Sequence, residues 1–103
     1  MSPQTIRFTR CLIDSIAFPA TFQGNRQHGT WARLVGYIAS AESLTEFDKA
    51  TAYAEGYVHA LVDSKQLDIS VDRDVLIIAT MDAWRCARTY PNTSTNLSYP
   101  GKP

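Results

Sequence analysis

Two helical patterns set back to back across residues 43–90 constrain this chain more than any other feature. The first opens on Ser43 and Glu46. This is the Ser-x-x-Glu capping box, in which each side chain satisfies a backbone donor that a helix start leaves free. Phe47, Ala50, Ala54, Tyr57, Val58 and Leu61 follow at helical spacing and make one apolar stripe. The pattern predicts a helix over 44–64, with Lys65 near its end, where a cation suits the helix dipole. Residues 66–70 are a short connection. Ser70 or Asp68 then caps a second helix, with Asp72 and Asp74 in its first turn. The middle of that helix, residues 75–79 (VLIIA), is apolar nearly all round, which predicts burial on more than one side. Trp84 falls on the same face as Ile77, and Pro91 stops the helix near Tyr90.

The first forty residues carry two periodicities at once. Ile6 and Phe8 alternate with Arg7 and Thr9 as in a strand, whereas Phe8, Cys11, Leu12 and Ile16 sit at helical spacing behind Ser2-Pro3, a cap followed by proline. The β-branched and aromatic content favours the strand. Residues 23–30 (QGNRQHGT) read as a loop, with two glycines, an asparagine and no apolar residue. In residues 31–41, Trp31, Leu34, Val35 and Ile38 fit a helix face, while Val35, Tyr37 and Ala39 fit a strand face and Gly36 penalises a helix. The expectation is an α+β fold: an antiparallel two-stranded ribbon packed against a helical hairpin over residues 1–90, with residues 91–103 a flexible tail. The alternative is all-α, with four helices.

A chain of 103 residues supports one domain, and 45% apolar content is enough for a core without staples. Ten basic and ten acidic residues cancel, so no global charge draws the chain to nucleic acid or membrane. The charges are segregated all the same. Residues 1–33 hold Arg7, Arg10, Arg26 and Arg33 against Asp14 alone. Residues 34–82 hold nine acids against Lys49, Lys65 and Arg73, and residues 83–103 hold Arg85, Arg88 and Lys102 with no acid. Cys11 and Cys86 are far apart, and the first ten residues are polar with no long apolar stretch behind them. That pattern is expected of a cytoplasmic chain with reduced thiols.

Reactive groups do not cluster. His28, His59, Cys11 and Cys86 fit no metal-ligand spacing; His59 and Asp63 share a helix face but lack a third ligand. Asp63, Asp72, Asp74 and Asp82 read as solvated helix faces rather than an acid–base pair. Gly24 and Gly29 match no phosphate loop. A helix-turn-helix is disfavoured, because the second helix of the pair opens with two aspartates where phosphates would sit. No cofactor or metal is implied.

These observations lead to a small non-enzymatic protein that binds another protein, an adaptor or an inhibitor. Inhibitors of host machinery carried by mobile elements, including those of bacterial immunity, are one such class. The expected contact residues are Arg26, His28, Trp31 and Arg33 around the 23–30 loop, the acids Glu42, Asp48 and Glu55, and the small-residue row Ala52, Gly56 and Ala60, which would also suit a homodimer. The alternative is a nucleic-acid-binding accessory protein, with Arg7, Arg10, Arg26 and Arg33 on the ribbon and Trp31 as a stacking platform.

Overall fold

A computed structural model describes residues 2–89, and among them there are four helices and no strand. They are α1 (Pro3–Asp14), α2 (Phe22–Ser40), α3 (Leu44–Asp63) and α4 (Val71–Thr89). The α+β expectation is therefore overturned, and the all-α alternative is what forms. Both strands of the expected ribbon, and the loop between them, are helical. The tail expected over residues 91–103 lies outside the described residues.

Local chemistry accounts for each helix. In α1, Ser2 Oγ accepts from the Thr5 N–H at 3.1 Å and Pro3 takes the first helical position, where its missing donor costs nothing. That cap outweighs the β propensity of Ile6, Phe8 and Thr9, because only the helical spacing puts Phe8, Leu12 and Ile16 together on the core. In α2, Thr21 Oγ1 accepts from the Gly24 N–H at 2.9 Å. A Cβ on Gly24 would lie 2.0 Å from the Pro19 carbonyl oxygen, so the preceding turn closes onto this residue only because it is glycine. Residues 23–30 lack apolar side chains because these turns mostly face solvent, not because they are a loop.

The capping box of α3 forms as expected, with Ser43 Oγ accepting from the Glu46 N–H at 3.1 Å. The helix ends in a Schellman turn: Gln66 N–H donates to Leu61 O at 2.9 Å and Lys65 N–H to Val62 O at 3.0 Å. Lys65 occupies the left-handed position at φ 63°, which a glycine usually fills. Ser70, not Asp68, caps α4, accepting from the Arg73 N–H at 3.1 Å.

The helices run alternately up and down in a four-helix bundle. Phe8 stacks on Trp84 at 5.6 Å and Cys11 Sγ lies 3.6 Å from Thr80 Oγ1, so α1 is antiparallel to α4. Asp48 meets Arg85 near one end of the α3/α4 seam and His59 meets Asp74 near the other, so that pair is antiparallel too. Gln23 and Gln27, early in α2, donate to Gln66 Oε1 just beyond the end of α3. The interior holds Trp31, Trp84, Phe47, Leu12, Ile38 and Val35, all fully buried. Trp31 Nε1 donates to Leu12 O at 2.9 Å, tying α2 to α1. Arg88 donates to the Ala41 carbonyl at the end of α2 and lies over the Phe47 ring, so one cation joins α4 to the α2–α3 corner.

The apolar middle of α4 is not buried on several sides, as its composition suggested. Ile77, Met81 and Trp84 enter the core, while Val71, Val75, Leu76 and Ile78 face outward. Three helices cannot surround α4 in a bundle of four, and its contacts are with α1 and α3 alone. No helix among the described residues is long and apolar enough to cross a membrane.

Candidate protein-binding face

The turn of α2 that sends Trp31, Val35 and Ile38 inward sends Arg26, Arg33 and Tyr37 outward. The same division on α3 buries Phe47, Ala54, Val58 and Leu61 and leaves Lys49, Tyr53 and Gly56 on the outside, with Tyr57 half-buried toward α2. Between the two helices runs an open groove of about 750 Å³. Leu34 and Ala50 line its floor; Tyr37, Tyr53 and Tyr57 form its walls; Arg33, Lys49 and Glu46 stand at its rim. Tyr53 is 72% exposed and Tyr37 56%. Among the described residues, neither Arg33 nor Lys49 is in an ion pair: the bridges present are Arg85–Asp48 and His59–Asp74.

A groove of this composition suits recognition by contact. Tyrosine supplies a large rigid surface with a polar tip, at low cost in side-chain entropy. The two cations outnumber Glu46, so the rim favours an acidic ligand.

The sequence-derived contact residues scatter around the bundle. Arg26 and Arg33 are exposed on the outer side of α2, with the Arg26 guanidinium 5.9 Å from the centre of the Phe22 ring. His28 is exposed but meets Phe18 edge-on, away from the groove. Trp31 is 0% exposed, so it is a core residue and can be neither a contact nor a stacking platform. Its arginine-rich neighbourhood is that of a helix with one polar face. Glu42 is exposed in the α2–α3 link. Asp48 is held by Arg85 at 2.9 Å, a bond that raises the guanidinium above its ordinary pKa, with Coulomb attraction to Asp48 adding to it. Glu55 is half-buried, two turns from Asp48 along the same side of α3. Ala52, Gly56 and Ala60 are exposed on α3, and a Cβ on Gly56 would meet nothing within 4 Å.

The basic ribbon does not exist. Arg7 and Arg10 belong to the outer side of α1, Arg26 and Arg33 to that of α2, and the Thr9 hydroxyl between Arg7 and Arg10 in sequence is buried. Nor do the reactive groups meet. His59 Nε2 lies 3.8 Å from Asp74 rather than pairing with Asp63, and Cys11 is in the α1/α4 seam against Thr80. Cys86 is an exposed free thiol on α4, and no group of three or more metal-ligating side chains occurs among the described residues.

Sequence reasoning missed Tyr37, Lys49 and Tyr53. Two signals were present: Arg33 and Tyr37 are four residues apart, as are Lys49 and Tyr53, so each pair shares a helix face once α2 is read as helical. Comparison with protein-family models, curated proteins and solved structures yields no match.

Proposed function

We propose that this chain is a small non-enzymatic, cytoplasmic protein-binding module, an adaptor or inhibitor, that takes an acidic segment of another protein in the α2/α3 groove. The observation that carries this reading is the row of Tyr37, Tyr53 and Tyr57 over an apolar floor, with unpaired Arg33 and Lys49 at its rim. Tyrosine and arginine are the residues that dominate contact energies at protein interfaces, and lysine adds charge that selects the partner. An aromatic or aliphatic side chain of the ligand fills the groove and its flanking carboxylates meet the two cations. The free thiols of Cys11 and Cys86 fit a reducing compartment.

The test is selection from a displayed random-peptide library on the intact protein. Binders enriched in acidic residues around an apolar anchor, and lost on Tyr53→Ala or Arg33→Glu, support the reading. Binders indifferent to both substitutions sink it.

One observation favours a second reading. Arg26 and Arg33 lie two turns apart on the same outer side of α2 as Tyr37, which suits a single-stranded nucleic acid. Anisotropy of a labelled oligonucleotide separates the two: affinity that falls steeply with salt supports nucleic acid, and no binding at low salt removes it.

A further inference from the structure

We propose that the outward face of α4 is covered by a second copy of this chain, packed antiparallel about a two-fold axis at Ala79. The face is mainly apolar and unpartnered, with Asp82 the exposed charge in the row of Val71, Val75 and Ile78. Val71 is 79% exposed, Val75 58%, Leu76 42% and Ile78 40%. They lie in adjacent rows opposite Ile77, Met81 and Trp84, which turn into the core. Aliphatic side chains carry no polar tip, so the surface that fits them is another aliphatic one, and a second α4 supplies it. Ala79 and Ala83 are exposed on the same face, and such small side chains let two helix axes approach to about 8 Å.

Charge fixes the direction. Because Phe8 stacks on Trp84 and Cys11 touches Thr80, α1 sets Arg7 and Arg10 beside the C-terminal half of α4. Asp14 and Asp72 lie toward the other end, and all four are exposed. The α1/α4 face thus carries a net basic end and a net acidic end, reduced but not reversed by Asp82 at the first and Arg73 at the second. An antiparallel copy brings Arg7 against Asp72 of the second copy and Arg10 against Asp14 of the second copy, and the two-fold repeats both pairs. A parallel copy would set like charge on like.

The axis position makes a chemical prediction. Cys86 is seven residues from Ala79, so the two Cys86 thiols lie about 21 Å apart along the paired helices, beyond disulfide reach. The two copies of position 79 face each other at about 4–5 Å between Cα atoms, within it.

Sedimentation velocity on the intact protein over a concentration series tests the proposal. The native chain is expected to show a reversible monomer–dimer equilibrium, and Val75→Glu to be monomeric throughout with an unchanged helical circular-dichroism spectrum. Arg7→Glu weakens the dimer about tenfold, and adding Asp72→Arg restores it. In a Cys11→Ser/Cys86→Ser background, Ala79→Cys gives a covalent dimer on mild oxidation and Ala52→Cys does not. A native protein that stays monomeric at its highest soluble concentration overturns the proposal. So does a dimer that survives Val75→Glu, or one that cross-links through position 52 instead.

Discussion

Along the α2/α3 groove the large exposed side chains are tyrosines and cations, each ending in a polar group; along α4 the large exposed apolar ones are valine, leucine and isoleucine. Both faces rest on one core, yet water treats them differently. A tyrosine hydroxyl is hydrated when the groove is empty and hydrogen-bonded when it is filled, so the α2/α3 face tolerates both states. The α4 face has no such alternative, and its exposed apolar area favours cover at all times, at about 25 cal/mol for each Å² removed from water. On the readings proposed above, a small bundle can therefore carry a contact that is at ease empty on one side and one that water disfavours leaving empty on the other, with the side chains setting the difference.

The shared core sets the largest expected effect. Trp31→Ala removes the largest buried side chain of α2 and its hydrogen bond to Leu12 O. A loss of about 3–5 kcal/mol is expected. That is much of the stability of a domain this size, so both faces fail together in a urea titration followed by circular dichroism. A variant that kept its cooperative transition and lost only groove binding would return Trp31 to the surface.

Gly24→Ala is the next largest and separates the two faces. The added Cβ drives into the Pro19 carbonyl, and relief requires the start of α2 to move, at about 1–3 kcal/mol. Because α2 walls the groove and does not pack on α4, peptide binding should weaken while self-association of the folded fraction persists. Equal loss at both would show that the faces are coupled through the core.

Tyr53→Ala follows. The residue is 72% exposed, so thermal stability should hold within about 0.5 kcal/mol, as for surface sites generally. Affinity for a selected acidic peptide should fall about tenfold or more, as at an aromatic contact of an interface centre. Isothermal titration checks the second figure and a melting curve the first.

The two faces were unequally visible before the structure. The hairpin of α3 and α4 was legible because its signals are local: Ser43 and Glu46 form their box within one turn, and Ser70 precedes an acidic first turn. α2 was not, because its early turns look outward and show no apolar period. Its buried residues there are Gly24 and Gln27, one small and one polar, and Gln27 is satisfied only by Gln66 from a distant part of the chain. Trp31, Leu34, Val35 and Ile38 did mark the inner face, but Gly36 argued against the helix that contains it. The groove needs α2 and α3 side by side; in the sequence alone Tyr37 reads as a strand face, Tyr57 as part of the core stripe, and Tyr53 belongs to no pattern. The exposed side of α4 was hidden for the opposite reason: composition reports how apolar a helix is, not how many neighbours it will have.

The smallest effect sharpens the comparison most. Gly36 and Gly56 are interior helical residues on the outer sides of α2 and α3, and a Cβ at either would meet nothing within 4 Å. Alanine should stabilise the isolated chain by about 0.8–1 kcal/mol at each site, because it restores helix propensity without a clash. On the α4 face no glycine occurs, and the small residues there are already alanine. If a partner backbone rides close over α3, Gly56→Ala will raise the melting temperature and lower peptide affinity in the same protein, and Gly36→Ala reports in the same way on α2. A variant that gains stability and binds unchanged would confine the contact to the tyrosine groove and leave the Ala52, Gly56, Ala60 row as bare helix surface.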